Sequence, residues 1–167
     1  MTVMIDLDVA MPLVTPLAAA LTGKGWRMTA AESCTGGLIA AACTALAGSS
    51  DWFERGFVTY SNAAKCEQLG VDAALIAAHG AVSAEVACAM AAGALARSPA
   101  DIAVAVTGIA GPGGAVPGKP VGTVWLALMQ RGGRVQAERL QLGGDRASVR
   151  SQTVMIALQR LGALCTA

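Results

Sequence analysis

Residues 102–107 read Ile-Ala-Val-Ala-Val-Thr, and an unbroken apolar run of this length predicts a strand buried on both faces of a sheet. Upstream, segments 27–31 and 53–60 have the composition of strands and are separated by helical segments. Downstream, segments 123–130 and 135–142 are joined by a short glycine-containing turn that is typical of a hairpin. Strands that first alternate with helices and then form a hairpin predict an α/β fold: a three-layer α/β/α domain whose mixed sheet of about five strands is covered by helices.

Helix signals fill the intervals between these strands. Ser61-Asn62, Ser83 and Asp145 are suitable N-caps, and Gly23-Lys24-Gly25 is a stop signal for the first helix. The predicted helices cover residues 9–25, 38–46, 62–69, 71–78, 84–97 and 146 to the C-terminus. Since no linker, low-complexity segment or repeat divides the sequence, we expect one domain over residues 1–167.

The composition is that of an ordinary globular protein. Hydrophobic residues make up 54% of the chain and charged residues 14%, which excludes intrinsic disorder. A net charge of +1 gives no electrostatic reason to expect nucleic acid or an anionic membrane as a partner. Asp6 and Asp8 stand where a secretory signal carries positive charge, and the apolar stretch 9–22 contains two prolines and is too short to span a membrane. We therefore expect a soluble, cytoplasmic protein.

The first polar loop, Glu32-Ser33-Cys34-Thr35-Gly36-Gly37, lies between a predicted strand and a predicted helix. The carboxyl ends of strands are the usual ligand sites of α/β sheets. Ser33 would lie beside free N–H groups at the helix start, which can hold a phosphate or a developing oxyanion, and the two glycines let a ligand approach the backbone. Ser33 is therefore a candidate nucleophile; the alternative is that Ser33 or Thr35 only caps the helix.

Cysteine and histidine offer a weaker alternative. Cys34 is a rival nucleophile, but the one histidine of the chain, His79, is its only conceivable base and is more typical of a surface or helix-end residue. The five cysteines are scattered without a Cys-x-x-Cys pair, so a zinc site is not expected and most of them should be small buried hydrophobes.

The second polar loop, Tyr60-Ser61-Asn62-Ala63-Ala64-Lys65, contains a lysine in an unusual place. If Asn62 caps the following helix, Lys65 lies in its first turn, where the macrodipole disfavours a cation. A lysine held there and partly buried should have a lowered pKa, and the neutral amine is the form that can activate a serine hydroxyl as a general base. The alternative is a solvated surface lysine.

The third loop, residues 108–122, is rich in glycine and proline, and its length favours a binding loop over a plain turn. Its segment 113–119 matches the Gly-x-x-x-x-Gly-Lys spacing of a phosphate loop. The match is false, because Pro120 replaces the hydroxyl residue that would hold Mg²⁺ and a strand follows. Arg146 and Arg150 lie in the first turns of the last helix, where the macrodipole disfavours positive charge. Arg146 is a candidate for binding an anionic group; the alternative is a solvated helix face.

Together the three loops resemble the C-terminal domain of the competence-damage-inducible protein CinA. Their order and spacing cover the chain from about residue 10 to its end. The N-terminal molybdopterin-binding-like domain of full CinA is expected to be absent, because no segment here is long enough to hold it. The matching stretches are Ala-Glu-Ser-Cys-Thr-Gly-Gly at 31–37, Phe-Val-Thr-Tyr-Ser-Asn-Ala-Ala-Lys at 57–65, Ala-Val-Thr-Gly-Ile-Ala-Gly-Pro-Gly-Gly at 105–114 and Lys-Pro-Val-Gly-Thr-Val at 119–124.

The resemblance implies nicotinamide mononucleotide amidohydrolase activity, which releases ammonia and leaves nicotinate mononucleotide for the pyridine nucleotide cycle. It also implies a serine nucleophile with a lysine base, and neither a metal nor a cofactor. These roles fall on Ser33 and Lys65, while Tyr60 matches the family's tyrosine and could orient the lysine or relay a proton. The residues expected to bind the substrate are Glu32, Thr35, Gly36, Gly37 and Asn62, with Thr107, Gly108, Gly111 and Arg146 placed toward its ribose and phosphate.

Two other functions stay open. A non-catalytic module could use the same pocket to sense a pyridine nucleotide, and an amidase could act on another small carboxamide. A purely structural interaction protein ranks third, because Ser33, Lys65 and the glycine loop would then be needless. Alanine-rich helical faces make a homodimer the expected assembly.

Overall fold

The structure, a computed structural model, describes residues 6–167. In that part of the chain, helices and strands follow one another in the predicted order, and a short 3-10 turn precedes the first α-helix. The elements are α1 (Met11–Lys24), β1 (Met28–Glu32), α2 (Leu38–Thr44), β2 (Phe53–Val58), α3 (Asn62–Leu69), α4 (Ala73–His79), α5 (Ala84–Ala96), β3 (Ile102–Gly108), β4 (Thr123–Gln130), β5 (Gln136–Gln141) and α6 (Arg146–Thr166).

The strands form a mixed sheet in the order β2-β1-β3-β4-β5. Strand β1 pairs in parallel with β2 on one side and with β3 on the other, while β3, β4 and β5 are antiparallel neighbours. Glu32 at the carboxyl end of β1 is the register partner of both Val58 in β2 and Val106 in β3. The loops that follow these three strands therefore leave from one edge of the sheet, which brings the three polar loops together.

The two faces of the sheet bury different kinds of side chain. On β3, Ile102, Val104 and Val106 pack beneath α1, α2 and α6, whereas Ala103 and Ala105 face α3, α4 and α5. All five are fully buried, as the unbroken apolar run predicts. Helices on both faces of a mixed five-stranded sheet confirm the predicted three-layer α/β/α fold.

The alanine-rich helical faces are used inside the molecule. Helix α5 presents Ala87, Ala91 and Ala94, all fully buried, to the alanine face of the sheet, so that helix and sheet approach closely. This packing is a reason within one chain for the alanine content, and the homodimer stays a prediction.

Helix α5 also approaches α3 closely, at Gly93. A Cβ built on Gly93 overlaps the carbonyl oxygen of Leu69 and lies 2.9 Å from its carbonyl carbon. Since a backbone carbonyl cannot move aside as a flexible side chain would, this site requires glycine.

Gly93→Ala should lower the free energy of unfolding by about 1–3 kcal/mol, measured by chemical denaturation, because overpacking outweighs the helix propensity of alanine. Gly162→Ala in α6 is the matched control, since its added Cβ meets nothing within 4 Å. That control should gain up to about 1 kcal/mol. Equal effects of the two substitutions would contradict the close approach.

Several boundaries differ from the sequence-based prediction by one or two residues, and three of these differences have a visible structural cause. Helix α1 begins two residues late, because Leu7–Ala10 form the 3-10 turn. Helix α4 begins at Ala73, because the Asp72 carboxylate caps it by accepting from the N–H of Ala74 at 2.9 Å. Strand β2 ends at Val58 rather than Tyr60, since the chain turns there toward the start of α3.

The prediction that the N-terminus carries no targeting signal rests in part on residues 1–5, which lie outside the described residues. Among residues 6–167, no helix combines the length and the apolar character needed to cross a membrane. In the same range, no three His, Cys, Asp or Glu side chains are grouped so that they could hold a metal ion.

Candidate active site

Ser33 is the first residue beyond strand β1. Its N–H donates to the carbonyl oxygen of Val106 at 3.0 Å, which extends the β1–β3 ladder by one residue. Gly36 and Gly37 follow with φ of +60° and +101°, a left-handed conformation that other residues rarely adopt, and the chain then enters α2. The sheet and this tight turn together fix the backbone of Ser33, whose side chain is buried at the edge of a cavity.

Lys65 reaches Ser33 from helix α3. The helix is capped by Ser61, whose Oγ accepts from the N–H of Ala64 at 3.0 Å, so Lys65 is its fourth residue. The Lys65 side chain is only 1% exposed, and its Nζ lies 3.0 Å from Ser33 Oγ and 2.8 Å from the carbonyl oxygen of Thr59. Lys65 is therefore not a solvated surface lysine.

Burial lowers the pKa of Lys65 from its ordinary value, while the neighbouring Cys34 and Cys66 act in the opposite direction. The Thr59 carbonyl can only accept, so it takes one N–H of the amine. In the neutral amine, the lone pair of Nζ is then free to accept the proton of the Ser33 hydroxyl. The arrangement can thus serve as a nucleophile with its general base.

Glu32 holds the turn that carries Ser33. Its buried carboxylate accepts four hydrogen bonds, from the Thr35 hydroxyl at 2.6 Å and from the N–H groups of Gly37, Ile39 and Ala40 at 3.1, 3.0 and 2.9 Å. The carboxylate thus closes the N-terminus of α2 from the end of β1. Glu32 and Thr35, which the sequence suggested for substrate binding, are bonded to each other and do not line the cavity.

Glu32→Gln should lower the free energy of unfolding by about 1–3 kcal/mol, because the amide NH₂ would face an N–H donor and leave it unpaired. The Ser33 turn should loosen with it, since the carboxylate is its internal anchor. Glu67→Gln, at an exposed position of α3, is the control and should leave the free energy of unfolding unchanged. Thermal unfolding monitored by circular dichroism measures the first effect; an unchanged melting temperature would contradict this role.

The structure does not bring Cys34 and His79 together. His79 lies at the end of α4, with Nδ1 3.5 Å from Oε1 of Glu85, and lines another cavity. Cys34 is buried, and burial raises the pKa of its thiol to about 11. A thiol with this pKa is almost entirely protonated at neutral pH and is a poor nucleophile.

Seven of the predicted site residues meet at one cavity of about 240 Å³. They come from all three polar loops and from the start of α6: Ser33, Tyr60, Asn62, Lys65, Thr107, Gly108 and Arg146. The other five predicted site residues do not line the cavity: Glu32, Thr35, Gly36, Gly37 and Gly111. Cys34, Ala81, Val82 and Ala110 complete the lining.

Arg146 and Tyr60 form the mouth of this cavity. The Arg146 guanidinium donates to the Tyr60 hydroxyl and to the carbonyl oxygen of Gly111, each at 2.9 Å. Tyr60 is 61% exposed, and its hydroxyl does not reach Lys65, whose partners are Ser33 and Thr59. The mouth therefore combines an oriented cation with an exposed aromatic ring.

The fold, the three loops and the buried Ser33–Lys65 pair can be compared with known proteins. The family model described as the CinA C-terminal domain matches residues 11–165. The chain belongs to the CinA C-terminal domain family. This confirms the resemblance seen in the sequence.

Three CinA-family relatives illustrate the similarity. Proteins named nicotinamide-nucleotide amidohydrolase PncC from Enterobacter agglomerans and Pseudomonas putida are each 55% identical to this chain. The match to the Enterobacter agglomerans protein covers 86% of this chain and 87% of that protein. The match to the Pseudomonas putida protein covers 93% of this chain and 96% of that protein. The crystal structure of competence/damage inducible protein CihA from Agrobacterium tumefaciens has 49% identity and a TM-score of 0.89. It covers 92% of this chain and 93% of that one.

Two residues of this CinA-family site were missed by the sequence analysis. The carbonyl of Thr59 fixes Lys65, but a backbone group leaves no signal in a sequence. Arg150 donates from α6 to the carbonyl oxygens of Cys34 and Thr35, both at 3.1 Å, and so braces the Ser33 turn. The position of Arg150 in the first turns of a helix was the signal that could have identified it. The sequence analysis assigned a function only to Arg146, which lies one turn earlier.

Proposed function

We propose that the protein hydrolyses the carboxamide of nicotinamide mononucleotide to nicotinate mononucleotide and ammonia, with Ser33 as nucleophile and Lys65 as base. The observation that carries the proposal is the 3.0 Å contact between Lys65 Nζ and Ser33 Oγ inside the cavity. The names of the two amidohydrolase relatives, which specify a nicotinamide nucleotide, support the choice of substrate. The product would re-enter synthesis of pyridine nucleotides.

In the proposed first half-reaction, neutral Lys65 takes the proton of Ser33 while Oγ bonds to the carboxamide carbon. The tetrahedral intermediate collapses by breaking the C–N bond, and Lys65 returns the proton to the departing nitrogen, which leaves as ammonia. In the second half-reaction Lys65 deprotonates a water molecule that attacks the acyl-enzyme. The bond between that carbon and Oγ then breaks, and Ser33 recovers its proton.

Backbone N–H groups of the Ser33 turn are proposed to hold the oxyanion. The N–H groups of Ser33, Gly36 and Gly37 are already bonded within the protein. Among residues 6–167, the N–H groups of Cys34 and Thr35 have no protein acceptor, so these two are the proposed donors. Both carbonyls of the same residues are held by Arg150, which would keep the donors in place.

Arg146 is the proposed partner of the substrate phosphate. Its guanidinium lines the cavity and uses one N–H on Gly111 and one on Tyr60, leaving other donors for an anion. Thr107 and Gly108 line the same cavity and are proposed to contact the ribose. Since the Tyr60 hydroxyl accepts a hydrogen bond from Arg146, the role that we propose for Tyr60 is to orient this cation and not to relay a proton.

The first experiment is ammonia release from nicotinamide mononucleotide by the purified protein after treatment with a chelator. Turnover of the mononucleotide, with much slower turnover of free nicotinamide, is the expected result. Binding of the mononucleotide without ammonia release would favour the sensing module instead. Equal turnover of both compounds would favour an amidase for another small carboxamide.

Ammonia release should rise with pH through the lowered pKa of Lys65 and then level off, because only the neutral amine can take the serine proton. Stability should follow the same titration. Between the lowered pKa of the folded protein and the ordinary value of the unfolded chain, the unfolded chain binds more protons, so the free energy of unfolding rises with pH. Rates and melting temperatures over a pH series measure both effects. A rate that falls across this range would contradict Lys65 as the base.

A further inference from the structure

A second cavity, of about 320 Å³, lies next to the catalytic one. It is formed by the start of α5, by strands β4 and β5 and by the distal half of the glycine-rich loop, a part of that loop for which the proposed reaction has no use. Its lining includes His79, Val82, Glu85, Lys119, Trp125 and Arg139.

The segment 79–82, from the last residue of α4 to the residues before α5, is the wall between the two cavities. Val82 lines both of them. From the catalytic side, the Thr107 hydroxyl donates to the carbonyl oxygen of Ala81 at 2.9 Å. From the other side, Lys119 Nζ donates to the carbonyl oxygen of His79 at 2.7 Å. The wall is thus held by one residue from each cavity.

The second cavity carries an excess of positive charge. Lys119 is oriented by its bond to His79, and the Arg139 guanidinium by a 2.7 Å bond to the carbonyl oxygen of Gly118. Each cation has further N–H donors beyond that one bond. The single carboxylate in the lining, Glu85, lies beside the His79 ring. Two oriented cations against one carboxylate favour an anionic ligand.

The cavity also has a flat aromatic wall. Trp125 in β4 is half-buried, and Arg139 in β5 is its register partner, so both side chains project from the same face of the sheet. An indole beside two cations is suited to a planar ring that carries a phosphate, because the ring can stack while the cations bind the phosphate.

We propose that this cavity binds a mononucleotide unit, with Lys119 and Arg139 on its phosphate and Trp125 against its base. The unit is either a free mononucleotide or the far half of a dinucleotide whose other half occupies the catalytic cavity. The shared wall would transmit occupancy to Thr107. This goes beyond the proposed reaction, and binding can be measured whether or not the protein releases ammonia.

The test is equilibrium binding of AMP to the protein and to four single variants. Lys119→Met and Arg139→Gln should each weaken AMP binding about tenfold or more, the scale of a lost charge-assisted hydrogen bond. Arg146→Gln removes a cation of the catalytic cavity instead, and it should weaken AMP binding less than Lys119→Met does. Arg160→Gln, on a surface cation paired with Glu138, controls for net charge and should leave AMP binding unchanged.

Three results would overturn the proposal: no AMP binding, equal affinities in Lys119→Met and Arg160→Gln, or a loss in Arg146→Gln as large as in Lys119→Met. Two exposed or half-exposed cations are tested separately so that a folding defect in one variant is not decisive. Nicotinamide adenine dinucleotide distinguishes the two sources. If both Lys119→Met and Arg146→Gln weaken the binding of this dinucleotide, one molecule spans the wall and occupies both cavities. If only Lys119→Met weakens its binding, the ligand of the second cavity is a separate molecule.

Discussion

Lys65→Met is expected to lower ammonia release by roughly 10²–10⁴-fold, the usual contribution of a general base. The same variant should be as stable as the parent or more stable at neutral pH. Methionine has about the length of the lysine stem, and it removes an amine that is 1% exposed and has no carboxylate among its hydrogen-bond partners. A gain in melting temperature together with a loss of turnover would separate the catalytic role from a structural one.

Lys24→Met is the matched control for this experiment. The Lys24 ammonium lies at the surface, 4.9 Å from the centre of the Trp26 ring, far from the catalytic cavity in the fold. It should leave ammonia release unchanged. Turnover by Lys65→Met at the parental rate would refute the dyad, and a lowered melting temperature with intact turnover would assign Lys65 to stability alone.

Ser33→Ala should reduce ammonia release by about 10⁴-fold or more, the scale seen when the nucleophile of a serine hydrolase is removed. The substitution removes one buried hydroxyl next to Lys65 and leaves the backbone bond to Val106 in place, so the fold should be kept. Binding of nicotinamide mononucleotide should persist, because Arg146 and the oxyanion donors remain.

Cys34→Ala is the neighbouring control, and it should retain most of the turnover. The Cys34 thiol has a pKa of about 11, and its proposed contribution is a backbone N–H that alanine also supplies. Loss of activity in Cys34→Ala with survival in Ser33→Ala would make the cysteine the nucleophile. Loss in both variants, with the melting temperature also lowered, would point to damage of the turn instead.

The sequence predicted the fold well because each strand has a distinct local pattern. The run at 102–107 could be buried on both faces only within a covered sheet, and the helices between the strands then required layers on both sides. The sequence singled out Ser33 and Lys65, which the structure brings into contact, for a similar reason. Each breaks a local expectation, one as a hydroxyl at a strand end and the other as a cation near the start of a helix.

Glu32 shows where a sequence is ambiguous. A polar residue at the end of a buried strand fits both ligand binding and capping of the next helix, and only the three-dimensional path of the chain decides. Here the carboxylate points back at the N–H groups of α2, so its four bonds are internal. Thr59 and Arg150 act through backbone carbonyls, and such contacts depend on packing rather than on residue type.

The pairing of β1 with β2 has a consequence for how activity returns after denaturation. Ser33 follows one strand and Lys65 follows the other, and Thr59 N–H donates to Glu32 O at 2.8 Å where the pair ends. A slip of one residue between these strands would displace the amine by about 3.3 Å, further than a hydrogen bond tolerates. Recovery of hydrolysis in a refolding experiment would therefore report that the edge strand β2 is correctly aligned. A chain that is compact but misaligned at this strand would show no hydrolysis.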